Sequence, residues 1–124
     1  MPCVLVVEDN ELNMKLFYDL LTLLKCKIIT TRTGSNAIDL CRANMPDLIL
    51  MDIQLDGISG IDLIKKVKTD KTLSKIPVIA VSAYAMKNEE LRILQSGCDK
   101  YLPKPLSLED FFSSVKFYLN KAPV

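Results

Sequence analysis

The hexapeptide Asp47-Leu48-Ile49-Leu50-Met51-Asp52 sets four consecutive apolar residues between two acids. A strand with one wet face alternates apolar and polar residues, whereas a short unbroken apolar run predicts a strand covered on both faces. Two further runs share the pattern, Cys3-Val-Leu-Val-Val7 and Ile76-Pro-Val-Ile-Ala-Val81. These three are expected at the centre of a parallel sheet. Lys27-Ile-Ile-Thr-Thr31 and the weaker Lys100-Tyr-Leu102 complete a set of five strands.

The intervening segments carry helical spacing. Leu12, Leu16, Leu20, Leu23 and Leu24 form one series, Ala37, Ile38 and Cys41 a second, and Ile61, Leu63, Ile64 and Val67 a third. Ser59-Gly-Ile-Asp62 and Ser107-Leu-Glu-Asp110 each place a capping hydroxyl three residues before an acid, as at helix starts. Gly97 and Pro123 stand where the last two helices should end. Strict βα alternation with right-handed crossovers leads to an α/β fold, a flavodoxin-like (βα)5 unit. Its five-stranded parallel sheet is expected in the order 2-1-3-4-5, with helices on both faces. No repeat or linker interrupts residues 1–124, which are read as one domain with no output domain attached.

Sixteen basic against fifteen acidic residues leave a net charge of +1, too little for the broad positive field that nonspecific nucleic-acid binding needs. Lys65, Lys66, Lys68, Lys71 and Lys75 cluster, and are read as the solvated face of one helix. No apolar run approaches the ~18 residues of a membrane span, and no cleavable leader is recognisable, so a cytoplasmic location is the simplest reading. Cys3, Cys26, Cys41 and Cys98 are far apart, and with no histidine in the chain they form no zinc set. The missing histidine also excludes Ser-His-Asp and Cys-His catalysis and any phosphohistidine carried by this chain.

In a sheet of this kind ligands bind beyond the carboxyl ends of the strands. Those ends are polar here: Glu8-Asp9 after the first strand, Asp52 after the third, Ser82 after the fourth and Lys104 after the fifth. Taken singly, each has a plain explanation, as a helix start, a strand-end cap, a turn residue and a surface lysine. Together, at the right ends, they describe a site. Three converging carboxylates repel one another unless a cation neutralises them. An all-oxygen donor set favours Mg²⁺, Mn²⁺ or Ca²⁺, and a site of few carboxylates with room for phosphate oxygens suits Mg²⁺ best. Asp52, on the middle strand, is placed to act as a nucleophile toward phosphorus, with Ser82 and Lys104 as donors to the transferring group.

These residues are also where the sequence resembles the response-regulator receiver family, in Val-Glu8-Asp9-Asn, Leu-Met-Asp52, Val-Ser82-Ala83 and Lys104-Pro105. The resemblance spans the whole chain, and the segments from Glu8 to Phe17 and Asp47 to Leu55 are most similar to members that act in cell division and the cell cycle. The resemblance implies that Asp52 becomes an aspartyl phosphate. It further implies that Asp9 and Asp52 bind Mg²⁺ directly, Glu8 does so mainly through water, and the Gln54 carbonyl completes the protein ligands. Lys104 would pair with the phosphoryl group, and the Lys104-Pro105 bond is expected to be cis. Ser82 and Tyr101 would switch position and report to the surface of helix four, strand five and helix five. Histidine kinases or phosphatases, and a histidine phosphotransferase, are the implied partners. No direct nucleic-acid contact and a monomer or weak dimer are expected. One departure stands out: Asp56 occupies the position, before Gly57, where the family often has proline.

Rival readings fare worse. A flavin carrier would need a Ser/Thr/Gly-rich first loop, and Glu8-Asp9-Asn10-Glu11 would repel its phosphate. An aspartyl phosphatase usually needs a second Asp two positions on as general acid, where this chain has Gln54. The protein is therefore read as no dedicated enzyme, with only slow self-dephosphorylation. A receiver-shaped adaptor that never becomes phosphorylated is the remaining alternative.

Overall fold

The computed structural model describes residues 1–53, 59–83 and 87–120, without the side chains of Lys87 and Asn88. Five strands, β1 (Cys3–Val7), β2 (Lys27–Thr31), β3 (Leu48–Asp52), β4 (Val78–Ser82) and β5 (Lys100–Pro103), pair in parallel in the order β2-β1-β3-β4-β5. The helices are α1 (Glu11–Leu23), α2 (Ala37–Asn44), entered through a 3₁₀ turn at Gly34–Asn36, α3 (Gly60–Thr69), α4 (Lys87–Gln95) and α5 (Leu108–Asn120). This is the expected flavodoxin-like arrangement.

Every residue of β3 and β4 is buried, as the unbroken apolar runs require, and the strand residues divide alternately between two cores. Leu5, Val7, Ile49, Met51, Val78 and Ala80 face one cluster with Ile61, Leu63, Ile64 and Val67 of α3. Val4, Val6, Leu48, Leu50, Ile79 and Val81 face the other, with Phe17 and Leu21 of α1 and Phe111 and Val115 of α5. Phe17 and Phe111 stack across that layer at 5.9 Å between centroids.

Start and stop signals acted as expected. The Ser59 hydroxyl accepts from the Ile61 N–H, and that of Ser107 from the Asp110 N–H. Gly97 has φ +100°, a left-handed conformation that glycine adopts without strain. Pro123 lies outside the described residues.

Three details differ from the sequence reading. β4 starts at Val78 instead of Ile76, because Pro77 has no N–H to give the ladder; its carbonyl still accepts from Ile49 N–H at 3.0 Å. On α1 the core face is Phe17, Leu20 and Leu21, while Leu12 and Leu23, from the series that marked the helix, are 80% and 72% exposed. The helix is apolar over too wide an arc for spacing alone to choose its buried side, and the aromatic ring takes the core. Third, the lysine cluster is not uniformly a solvated face: Lys65, Lys66, Lys71 and Lys75 are exposed, but Lys68 is half-buried in an ion pair.

Candidate functional site

Register carries the polar strand ends to one edge. Glu8 continues the β1–β2 ladder one step past β1, donating its N–H to the Thr31 carbonyl at 3.1 Å, and this turns its side chain inward. It has no exposed surface. Asp52 ends β3 opposite Val81 of β4, and Ser82 ends β4 opposite Pro103 of β5. Both side chains are buried. The Lys104 N–H donates to the Ser82 carbonyl at 2.9 Å, and the Lys104–Pro105 peptide is cis, as expected. Lys104 Nζ lies 3.6 Å from Asp52 Oδ1 and 3.9 Å from Glu8 Oε2. Tyr101 on β5 is half-buried and packs against the first core cluster.

Glu8, Asp9 and Asp52 each offer a carboxylate oxygen, all within 4.8 Å of one another. Burial, together with the neighbouring Asp52 carboxylate, pushes Glu8 up to about 7, against the pull of the Asn13 hydrogen bond and Lys104. Glu8 Oε2 is buried without a hydrogen bond. An orphaned acidic oxygen in an all-oxygen cluster fits a hard divalent cation, since burying unpaired charge is otherwise costly. Gln54, Asp56 and Gly57 lie outside the described residues, so the expected carbonyl ligand and the family departure are not part of this geometry.

Four residues to which the sequence reading gave no part in the site shape it. Asn10 caps α1 by accepting from the Asn13 N–H at 3.0 Å, and the Asn13 carboxamide donates to Glu8 Oε1 at 3.1 Å. Arg32, just past β2, donates to the Asp9 carbonyl at 3.4 Å and pairs with Glu11 at 3.2 Å. Gly60 lets the start of α3 press on the end of β3: a Cβ there would sit 2.6 Å from the Asp52 carbonyl oxygen and 2.7 Å from the Ile53 Cα. Spacing could have flagged Asn13, one turn into the helix that follows Glu8. Arg32 and Gly60 depend on contacts across the fold.

A doubly covered parallel sheet with an acid triad and a lysine at its carboxyl edge defines the class, and comparison with known proteins agrees: residues 4–116 match the response regulator receiver domain, and the chain belongs to that family. Its sequence is 53% identical over 119 residues to the polar-differentiation response regulator DivK of Brucella ovis, covering 96% of this chain and 97% of that protein. The Brucella anthropi DivK is equally similar. Among solved structures, the receiver domain of a histidine kinase from Syntrophus aciditrophicus superposes with a TM-score of 0.91 at 26% identity, over 97% of this chain and 91% of that one. The receiver domain of the sensor histidine kinase PA1611 from Pseudomonas aeruginosa, described with a magnesium ion coordinated in its active-site cleft, gives 0.89 at 24%, over 97% and 98%.

Proposed function

We propose that this chain works as a receiver that takes a phosphoryl group onto Asp52 from a phosphohistidine partner and signals by protein contact in cell-division control. The observation that carries the reading is Asp52 itself: a buried carboxylate among two other acids, with Lys104 Nζ at 3.6 Å. In the step, an Asp52 carboxylate oxygen attacks phosphorus, the new O–P bond forms as the donor's N–P bond breaks, and the imidazole leaves to take up a proton. The product is an acyl phosphate, and attack of water on it returns Asp52 and inorganic phosphate.

Glu8, Asp9 and Asp52, with the Gln54 carbonyl, would hold Mg²⁺, and no feature of the site favours Mn²⁺ over it. The bound cation supplies charge neutralisation for phosphoryl oxygens brought up to an acidic cleft. Lys104 balances the phosphoryl charge on the other flank, and Ser82 donates to one of its oxygens. Tyr101, on the strand that leads into Lys104, would carry the change to the face of α4, β5 and α5. Leu91 and Leu94 of α4 and Phe117 of α5 are each about half exposed there. Histidine kinases or phosphatases, and a histidine phosphotransferase, would read that surface in the cytoplasm. DivK proteins are named for polar differentiation, which supports the cell-division assignment.

Labelling with acetyl phosphate and Mg²⁺ tests the reading. Incorporation is expected in the native chain, lost with EDTA and lost in Asp52→Asn. Labelling that survives Asp52→Asn would sink the assignment of Asp52 as acceptor, and none in the native chain would make the protein a receiver-shaped adaptor.

A further inference from the structure

The geometry points to Asn13 as a positioning residue that sets how tightly the acidic edge takes up Mg²⁺, acting only through Glu8. The inference rests on the reading of Glu8, Asp9 and Asp52 as a cation site.

Glu8 is wholly buried, yet its two oxygens are treated differently. Oε1 accepts from the Asn13 Nδ2 at 3.1 Å and from the Asn10 N–H at 3.4 Å. Oε2 makes no hydrogen bond, and its nearest cation is Lys104 Nζ at 3.9 Å. One oxygen is thus tied back to the loop and the other is left bare on the side of Asp52. The tie is itself anchored, because the Asn10 side chain holds the Asn13 N–H and so fixes the first turn of α1. A short amide on a capped turn loses little freedom in making this bond.

The chemistry of the donor matters as much as its position. A lysine or arginine at Asn13 would pair with Glu8 and compete with the cation for its charge. A carboxamide is neutral, so it orients the carboxylate and leaves its charge for the metal. Without it, Glu8 is free to rotate and share the tie between both oxygens, and the bare oxygen is no longer held on the metal side. Residues that orient a metal-binding group in this way commonly contribute about ten- to a hundredfold in affinity. Because Glu8 is one ligand among several, the lower end, about tenfold, is expected for Asn13→Ala.

Calorimetric titration of Mg²⁺ into the unphosphorylated chain reads this directly, with melting in EDTA as a control for folding. The native chain is expected to bind, Asn13→Ala to bind about tenfold more weakly with a similar EDTA midpoint, and Asn13→Leu, which keeps the volume, to match it. In a Glu8→Gln background the Asn13→Ala change should add nothing further. Native affinity in both Asn13 variants, or a loss that adds in full to that of Glu8→Gln, overturns the inference. A lowered EDTA midpoint with unchanged Mg²⁺ affinity also overturns it, since Asn13 would then serve the fold alone. No Mg²⁺ uptake by the native chain would instead sink the reading of the site itself.

Discussion

The two edges of the parallel sheet hold the same kinds of charged side chain in opposite conditions. At the amino edge, Lys68 Nζ, at the end of α3, lies 2.7 Å from Asp99 Oδ2, 2.7 Å from the Ile76 carbonyl and 3.3 Å from the Ser74 carbonyl. Its three protons meet three acceptors. Asp99 Oδ2 also accepts the Val78 N–H at 2.8 Å, so α3, β4 and the start of β5 are stitched at one point. Tyr118 of α5 adds a bond to the Asp99 carbonyl at 2.8 Å. At the carboxyl edge three carboxylates meet within 4.8 Å, and Lys104 stands off at 3.6 and 3.9 Å, beyond hydrogen-bond reach. The amino edge is closed on itself and contributes to stability. The carboxyl edge keeps Glu8 Oε2 buried without a hydrogen bond, which costs stability and leaves that acceptor for something from outside.

The largest effect should come from breaking the closed edge. Lys68→Met keeps the stem that packs under Gly97 but removes the ammonium, leaving Asp99 and two carbonyls without their donor. A loss of about 2–3 kcal/mol is expected, between that of an ordinary hydrogen-bond deletion and that of a fully buried ion pair. Urea unfolding should show it as a lower midpoint at unchanged slope. Labelling of Asp52 should persist under folding conditions. A loss below about 0.5 kcal/mol would place Lys68 with ordinary surface pairs and erase the contrast between the edges.

Lys68 also shows where sequence reading reaches its limit. It sits in a run with Lys65, Lys66, Lys71 and Lys75, and composition alone reads the run as one wet face. Its partners come from residues Ser74, Ile76 and Asp99, so only the packed fold separates it from its neighbours. The three central strands were legible because each is a short apolar run rich in branched side chains, the pattern of a strand covered on both faces. α3 was legible for a similar reason, since its apolar arc is narrow and all four of Ile61, Leu63, Ile64 and Val67 are buried. α1 was legible as a helix but not in its rotation. For the site, the acids, Ser82 and Lys104 could be placed because a parallel sheet sends every strand's last residue to the same edge. Asn13 was within reach of spacing, in the first turn after Glu8, but Arg32 and Gly60 could not be placed, as each acts through contacts with another segment.

A middle-sized effect should come from relieving the open edge. Glu8 ionises at about 4.5 in the unfolded chain and near 7 in the metal-free fold, so between those values the folded state holds a proton that the unfolded state has released. Its contribution to stability is therefore present below about 4.5 and is lost as pH rises through 7. In EDTA the melting midpoint should fall across that window. Glu8→Gln should flatten this part of the profile and raise the midpoint near pH 8 by about 4 °C, for a gain on the order of 1 kcal/mol. Asp9, Asp52 and Lys104 remain in the variant beside the substituted side chain. Mg²⁺ should stabilise the native chain more than Glu8→Gln. A native midpoint that rises from pH 5 to 7 in EDTA would mean the acids are already neutralised within the protein, and the two edges would be alike.

The smallest effect tests whether such neutralisation comes from the rim. Arg32 approaches the loop from outside, touching the Asp9 carbonyl at 3.4 Å and Glu11 at 3.2 Å. Both members of its ion pair are largely exposed, at 59% and 79% of their side-chain surface, so water and salt screen the pair and two long side chains must be held still to make it. Arg32→Gln should therefore change stability in EDTA by less than about 0.5 kcal/mol, and 0.5 M NaCl should reduce even that. A loss above about 1 kcal/mol that vanishes in salt would show a long-range attraction between Arg32 and the acid cluster. The carboxyl edge would then owe part of its tolerance of three carboxylates to this guanidinium. In that case Glu8→Gln, by lowering the negative charge that Arg32 opposes, should shrink the cost of Arg32→Gln, whereas two independent contributions would simply add.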